Sequence, residues 1–100
     1  MVYFLATIRY PPKVAKEFGK KFLELTKMES PDWLKVVHAF SVPDGKLKGY
    51  ALYEVEDTKI LKAEQAINKR LAIYFDLDGF EYRIERLMEA KEALPIIGLG

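Results

Sequence analysis

Four stretches of the chain are rich in β-branched and aromatic residues, a composition typical of strands. The first ends at Pro11-Pro12, which cannot donate hydrogen bonds to a strand ladder. The second and third flank the turn sequence Pro43-Asp44-Gly45-Lys46, so we expect a β-hairpin there. The fourth alternates apolar and charged residues, as a half-buried strand does. The predicted strands are residues 2–10, 34–42, 47–56 and 80–87.

Two further stretches repeat their apolar residues at the spacing of an amphipathic helix. The first covers residues 13–28, and the second begins at Asp57 or Thr58 and ends before residues 76–79. Their apolar stripes are Val14, Phe18, Phe22 and Leu25 in the first helix, and Ile60, Ala63, Ile67, Leu71 and Tyr74 in the second. The order strand, helix, strand, strand, helix, strand predicts an α+β, ferredoxin-like fold with both helices on one face of a four-stranded antiparallel sheet. Residues 1–100 are expected to form a single domain.

The hairpin sequence also predicts which residues face each other across its two strands. A loop of two or four residues centred on Asp44-Gly45 would place Val42 opposite Leu47 and Lys35 opposite Glu54. Successive side chains of a strand point to opposite faces, so this register also assigns the faces. It sets Val36, His38 and Phe40 on one face, opposite Tyr53, Ala51 and Gly49.

Large apolar side chains occur on both faces of three of the four predicted strands. On the face away from the helices these are Tyr3, Leu5, Val37, Tyr50 and Leu52. Leaving them in water would forgo roughly 1.5–3 kcal/mol of burial each, and their patch would exceed what monomers usually expose. We therefore expect a homodimer through the sheet face away from the helices, closed into a barrel with the helices outside.

Element order and lengths over nearly the whole chain resemble those of the dimeric α/β-barrel superfamily. The likeness to a small uncharacterised branch of that superfamily is strongest in the segments GYALYEVED and DLDGFEYRIERL, residues 49–57 and 76–87. The superfamily includes cofactor-free monooxygenases and muconolactone-isomerase-like enzymes. The resemblance implies a ferredoxin-like dimer, and it carries no catalytic residue over to this chain.

Composition narrows the range of partners. The 16 basic and 15 acidic residues leave a net charge of +1, which gives no strong field for nucleic acid or anionic lipid. The chain has no cysteine, so thiolate chemistry and cysteine metal sites are excluded. We expect a cytoplasmic protein with no membrane segment, no leader peptide, no cofactor and no metal. The scarcity of side-chain amides, Gln65 and Asn68 alone, favours a heat-adapted source.

The single histidine, His38, is the most chemically versatile candidate, because imidazole can act as a general base near neutral pH. Phe40 lies beside it, and the predicted register places small residues opposite both, so a pocket could form with Tyr53 as its polar wall. A structural histidine, or close packing of a helix against Gly49, would explain the same residues. Arg9 could bind an anionic ligand, or pair with a neighbouring glutamate, Glu54 or Glu56.

The function that this pattern favours is binding of a small, partly apolar molecule in or beside the barrel, with His38, Phe40, Tyr53 and Arg9 as candidate ligand-binding residues. One alternative is a cofactor-free monooxygenase or isomerase, with His38 as base acting on a small aromatic or anionic substrate. Another is a non-catalytic sensor or interaction module. In that case a ligand in the barrel, or the apolar tail from Pro95 to Leu99, would change assembly. The extension as a whole, residues 88–100, could dock on the partner chain.

Overall fold

A computed structural model describes all 100 residues, and it contains a four-stranded antiparallel sheet. The strands are β1 Val2–Tyr10, β2 Leu34–Asp44, β3 Lys46–Val55 and β4 Glu81–Leu87. They lie in the order β2-β3-β1-β4, so β1 is an inner strand and β4 is an edge strand. The α+β class and the antiparallel sheet are thereby confirmed.

Three α-helices accompany the sheet: α1 Ala15–Thr26, α2 Ile60–Leu71 and α3 Ala90–Ala93. A 3-10 turn, Pro12–Val14, precedes α1, because proline presets the backbone of a first helical turn and lacks the N–H that would go unbonded there. Similar turns lie at Asp57–Lys59, Ala72–Tyr74 and Leu94–Ile97. Both predicted helices are therefore present. Their ends either are shorter than predicted or have 3-10 geometry.

The core lies between one face of the sheet and the first two helices. It contains 14 buried residues, all apolar or aromatic, and no buried polar or charged residue. They are Phe4, Ala6, Tyr10, Val14, Phe18, Leu25, Leu34, Tyr53, Val55, Ala63, Ile67, Leu71, Tyr74 and Leu77. Alternate residues of β1 and β3 share this cluster with both α1 and α2, so the two helices cover the same face.

The register of the β2–β3 hairpin differs from the predicted one near its turn. Asp44 pairs with Lys46 across Gly45, whose φ of 73° is in the left-handed region that glycine adopts without strain. The turn thus holds an odd number of residues, and Val42 lies opposite Lys48. The prediction that Val42 faces Leu47 is wrong, because a shift of one residue moves every side chain of a strand to the other face.

A β-bulge between Val36 and His38 restores the predicted register for the residues of β2 that precede it. Before the bulge, Lys35 pairs with Glu54 as predicted. Beyond it, His38 lies opposite Leu52, so its predicted position opposite Ala51 is wrong. His38 and Phe40 consequently occupy the sheet face away from the helices, while Ala39 and Ser41 occupy the helix side.

The C-terminal extension folds as α3 followed by the 3-10 turn. A capping box between Glu89 and Glu92 fixes the start of α3. Apolar side chains beyond it are exposed by 43% at Leu94, 71% at Ile96 and 56% at Leu99. No helix in the structure is both long and apolar enough to cross a bilayer.

Ile67 tests the placement of the core, since its side chain is fully buried in α2. We expect Ile67→Ala to lower the free energy of unfolding by about 2–5 kcal/mol, because it removes buried methyl groups and leaves a cavity. Ile96→Ala is the matched control, with a side chain 71% exposed, and should change stability by less than about 0.5 kcal/mol. Urea denaturation followed by circular dichroism measures both, and equal losses would contradict this core.

Candidate functional site

An apolar groove of about 680 Å³ lies on the helix side of the sheet, between α1 and the β2–β3 hairpin. Its floor is made of small residues that follow one another across the two strands. They are Ala39 and Ser41 of β2, and Gly49 and Ala51 of β3. Larger side chains of α1 form one wall, among them Phe18, Phe22 and Leu25. The groove exists because the small floor residues leave space beneath α1, and no further helix closes that space.

Gly49 is explained by a neighbouring strand and not by a helix. A Cβ atom placed on Gly49 would lie 3.0 Å from Cγ1 of Ile8, its partner residue in β1. The carbonyl oxygen of Phe40 is the next neighbour, 3.6 Å from the same point. The Ile8 side chain therefore fills the space above Gly49, and the alternative that a helix packs on this glycine is wrong. The rest of the floor remains open to the groove.

Stacked aromatic rings support the deep wall of the groove. The ring of Phe18 lies 4.0 Å from that of Tyr10 and 4.5 Å from that of Tyr74, measured between centroids. Phe22 extends the stack at 6.4 Å from Phe18. Such offset stacks are worth about 0.5–1.5 kcal/mol per pair beyond the area they bury. The wall is thus a packed structure and not a set of loose side chains.

Three tyrosines bring phenol groups to this apolar surface. Tyr10, Tyr53 and Tyr74 line the groove and are only 9%, 4% and 2% exposed. The side-chain hydrogen bonds within the chain include none from these three residues. Their hydroxyl oxygens are not among the buried side-chain atoms that lack a partner, so each still contacts solvent although its residue is buried. A phenol that contacts solvent can exchange water for a hydrogen bond to a bound molecule.

Burial also fixes the protonation state of these phenols. The pKa of Tyr74 is raised to about 12, mainly by desolvation and to a lesser extent by the nearby Tyr53, while the positive charge of Arg70 acts to lower it. Desolvation likewise raises the pKa of Tyr10. Both groups stay protonated through the neutral range and can donate as well as accept hydrogen bonds.

The structure does not bring the four sequence-predicted site residues together. His38 and Phe40 are exposed neighbours on the sheet face away from the helices, with ring centroids 5.6 Å apart. Arg9 is on that same face, in a shallow recess that it shares with Lys48 and other charged residues. Tyr53 alone has its side chain on the helix side, in the groove. The sheet therefore separates the side chain of Tyr53 from those of the other three, although Phe40 also lines the groove, where its carbonyl oxygen lies beside Gly49.

Arg70 is the groove residue that the sequence analysis did not single out. It follows Ile67 by three residues and precedes Tyr74 by four, so it lies on the buried stripe of α2. The signal in the sequence that could have indicated it is a positively charged residue on the apolar stripe of a helix. Elsewhere, no group of three or more His, Cys, Asp or Glu side chains could hold a metal ion.

Comparison with known proteins supports the fold alone. No protein-family model matches the chain, and no curated protein matches it. One similar solved structure is that of the "De novo designed protein Foldit4", with 20% sequence identity and a TM-score of 0.60. The alignment covers 88% of this chain and 97% of that one. At this identity the likeness extends to the backbone architecture and not to any site.

The raised pKa of Tyr74 predicts how stability changes in alkali. The unfolded phenol ionises near its ordinary pKa of 10, and the folded one only near 12, so folding binds the proton more tightly. The stabilisation is complete below pH 10 and is lost as the pH rises to 12. We expect the free energy of unfolding to fall across this window, and Tyr74→Phe to reduce the slope. Guanidinium titrations at several pH values measure it, and an unchanged slope would contradict the assignment.

Proposed function

We propose that this chain is a binding subunit whose groove between α1 and the hairpin takes a small, partly apolar molecule. The observation that carries the proposal is the groove itself: about 680 Å³, lined mainly by apolar side chains, with a few phenols at buried positions. Binding sites for small molecules commonly occupy roughly 300–1,000 Å³ and combine apolar walls with a few placed polar groups. The groove fits that description in both size and lining.

Exposed apolar groups at the groove supply the free energy for binding. Phe22, Met28 and Val36 line it and are 42%, 60% and 38% exposed. A ligand that covers them removes apolar surface from water, at about 25 cal/mol per Å². The small floor residues let a flat or narrow body approach the sheet closely. An apolar ligand with a polar group at one end would satisfy both the walls and the phenols.

Two adjacent residues of β2 test which sheet face binds the ligand, because both are exposed and their side chains lie on opposite faces. We expect Ala39→Phe to weaken binding of the uncharged dye Nile red by about tenfold or more, since the new ring fills the groove. His38→Phe introduces the same ring on the other face and should leave the affinity near that of the wild type. Dye fluorescence during protein titration measures both.

The reverse result would move the site. If His38→Phe weakens dye binding and Ala39→Phe does not, the ligand lies on the face that carries His38. If the wild-type protein binds no dye at all, the proposed binding role is wrong. Circular dichroism of both variants confirms that each keeps its sheet.

We further propose that the chain is a ferredoxin-like subunit of a homodimer, paired through the sheet face away from the helices. The long elements follow the order strand, helix, strand, strand, helix, strand, and both long helices cover one face. The other face has no covering element of its own. Two rows of paired residues cross β2, β3 and β1 on this face, with Leu52, Leu5, Phe40 and Tyr50 as their apolar or aromatic members. His38, Leu52 and Leu5 form one row, and Phe40, Tyr50 and Thr7 form the next.

The surroundings of this apolar patch suit a second copy of the chain. Phe40 is 58% exposed and Leu87 is 37% exposed, so a partner would bury substantial apolar area. Charges of both signs flank the patch, with Lys35 and Glu54 at one end, and Arg9 and Glu81 at the other. An apolar centre with a mixed charged rim is typical of stable interfaces. The proposal therefore includes a place for this chain in the dimeric α/β-barrel superfamily.

Light scattering of the wild type and of two leucine variants tests the proposed dimer. We expect the wild type to have twice the 11.6 kDa mass of one chain. Leu52→Arg should yield the single-chain mass, because it places an unpaired charge at the centre of the patch. Leu61→Arg makes the same change at a leucine of α2 that is 68% exposed, and should leave the mass doubled. A folded wild-type protein at the single-chain mass would contradict the dimer.

The alternatives from the sequence stay predictions. An enzyme with His38 as base would need its substrate on the face away from the groove, where Tyr53 cannot contact it. The interaction module would use the exposed apolar side chains of the extension, Leu94, Ile96 and Leu99. Neither has an observation in its favour comparable to the groove.

A further inference from the structure

Arg70 is the single charged residue among those that line the groove. It is half-buried on α2, and it lines the same cavity as Tyr53 and Tyr74. No aspartate or glutamate lines the groove, so the positive charge has no counter-ion there. An apolar cavity with one uncompensated cation attracts a ligand that carries one negative charge.

The hydrogen bonds of Arg70 leave the guanidinium incompletely satisfied. One terminal nitrogen, Nη1, donates to the Ser30 hydroxyl over 3.2 Å. The Nε–H is buried and has no acceptor, the one such side-chain atom in the protein. A guanidinium has five N–H donors and no acceptor, and a buried donor without a partner is costly. Apart from the bond to Ser30, no N–H group of the guanidinium has an acceptor within the chain, so the arginine keeps donors for an acceptor that a ligand brings.

The phenols extend the same polar corner. Tyr53, Tyr74 and Arg70 line the same cavity. A protonated phenol can donate to an oxygen that the guanidinium already holds. Cation and phenols therefore offer several donors in a cavity with mainly apolar walls.

We propose that the groove selects apolar monocarboxylates, with Arg70 binding the carboxylate and the aromatic walls covering the apolar body. This inference rests on the proposed binding function and adds the chemical class of the ligand. Arginine binds carboxylates strongly because its planar fork can donate two parallel hydrogen bonds. The carboxylate end lies against α2, and the body extends over the small floor residues towards Phe22.

The charge count argues against other head groups. One arginine neutralises one negative charge, so a doubly charged phosphate would keep an unpaired charge beside apolar walls. An amine would place a second cation next to Arg70. A neutral alcohol could accept one hydrogen bond and gains nothing from the charge. Among ligands with the same body, the monocarboxylate is favoured.

Three ten-carbon probes separate the head group from the body: decanoate, decanol and decylamine. Each is titrated against the full-length protein with Nile red bound, and its affinity is taken from displacement of the dye. The readout is the ratio of decanoate to decanol affinity within one protein, because this ratio cancels the contribution of the shared chain. Decylamine should be the weakest of the three for the wild type.

Two variants on adjacent residues of α2 then test the arginine. Arg70→Gln should lower the decanoate-to-decanol ratio by about tenfold or more, the effect expected from losing hydrogen bonds to a charged group. Lys69→Gln removes the same charge from an exposed position and should leave the ratio unchanged. Arg70→Lys keeps the charge without the fork and should retain a ratio above that of Arg70→Gln.

Each result decides one claim. An unchanged ratio in Arg70→Gln, with decanol still bound, overturns the carboxylate assignment and leaves the binding groove in place. An equal loss in Arg70→Lys and Arg70→Gln overturns recognition by charge. If neither decanoate nor decanol displaces the dye from the wild type, this inference falls, while the dye binding that tests the proposed function still stands. Decanol affinity in every variant reports that the groove is intact.

Discussion

Strict alternation of side chains along the β2–β3 hairpin governs which residues reach the groove. The turn at Gly45 has an odd number of residues, and the bulge near Val37 adds one more to β2. Between the bulge and the turn, every side chain of β2 lies on the opposite face from the one that a turn with an even number of residues would give it. Ala39 and Ser41 therefore form floor, while His38 and Phe40 face away. Without that shift, an imidazole and a phenyl ring would occupy the groove and fill it.

The groove is a local shortage of side-chain volume within an otherwise well-packed core. Under α2 the sheet carries large side chains, and Phe4, Ile67, Val55 and Tyr74 are almost completely buried. Under α1, towards the hairpin, the sheet carries alanine, serine and glycine. Core cavities cost stability in proportion to their size. A cavity kept open by small residues and walled by stacked rings is consistent with a space that a ligand occupies.

Both proposals follow from the same limitation of the fold. Two long helices can cover one face of four strands, and they leave part of that face and all of the other without cover. The uncovered part on the helix side is concave and has one cation, which suits a small anionic ligand. The uncovered far face is broad, apolar at its centre and charged at both ends, which suits a second copy. This difference in shape and charge is why we propose different occupants for the two surfaces.

Composition and hydrophobic spacing in the sequence were sufficient for the four strands, the two long helices and the α+β class. Val2–Tyr10 was assigned as a strand because it is rich in β-branched and aromatic residues and is followed by two prolines. The stripe of α2 likewise identified Ile67 and Leu71 as core. Local sequence could not determine the hairpin faces, since an odd turn and a bulge change the register without changing the pattern of residue types. The sequence also could not show that Arg70 and Tyr53 meet in one cavity. They are distant in sequence, and only the packing of α2 against β3 brings them together.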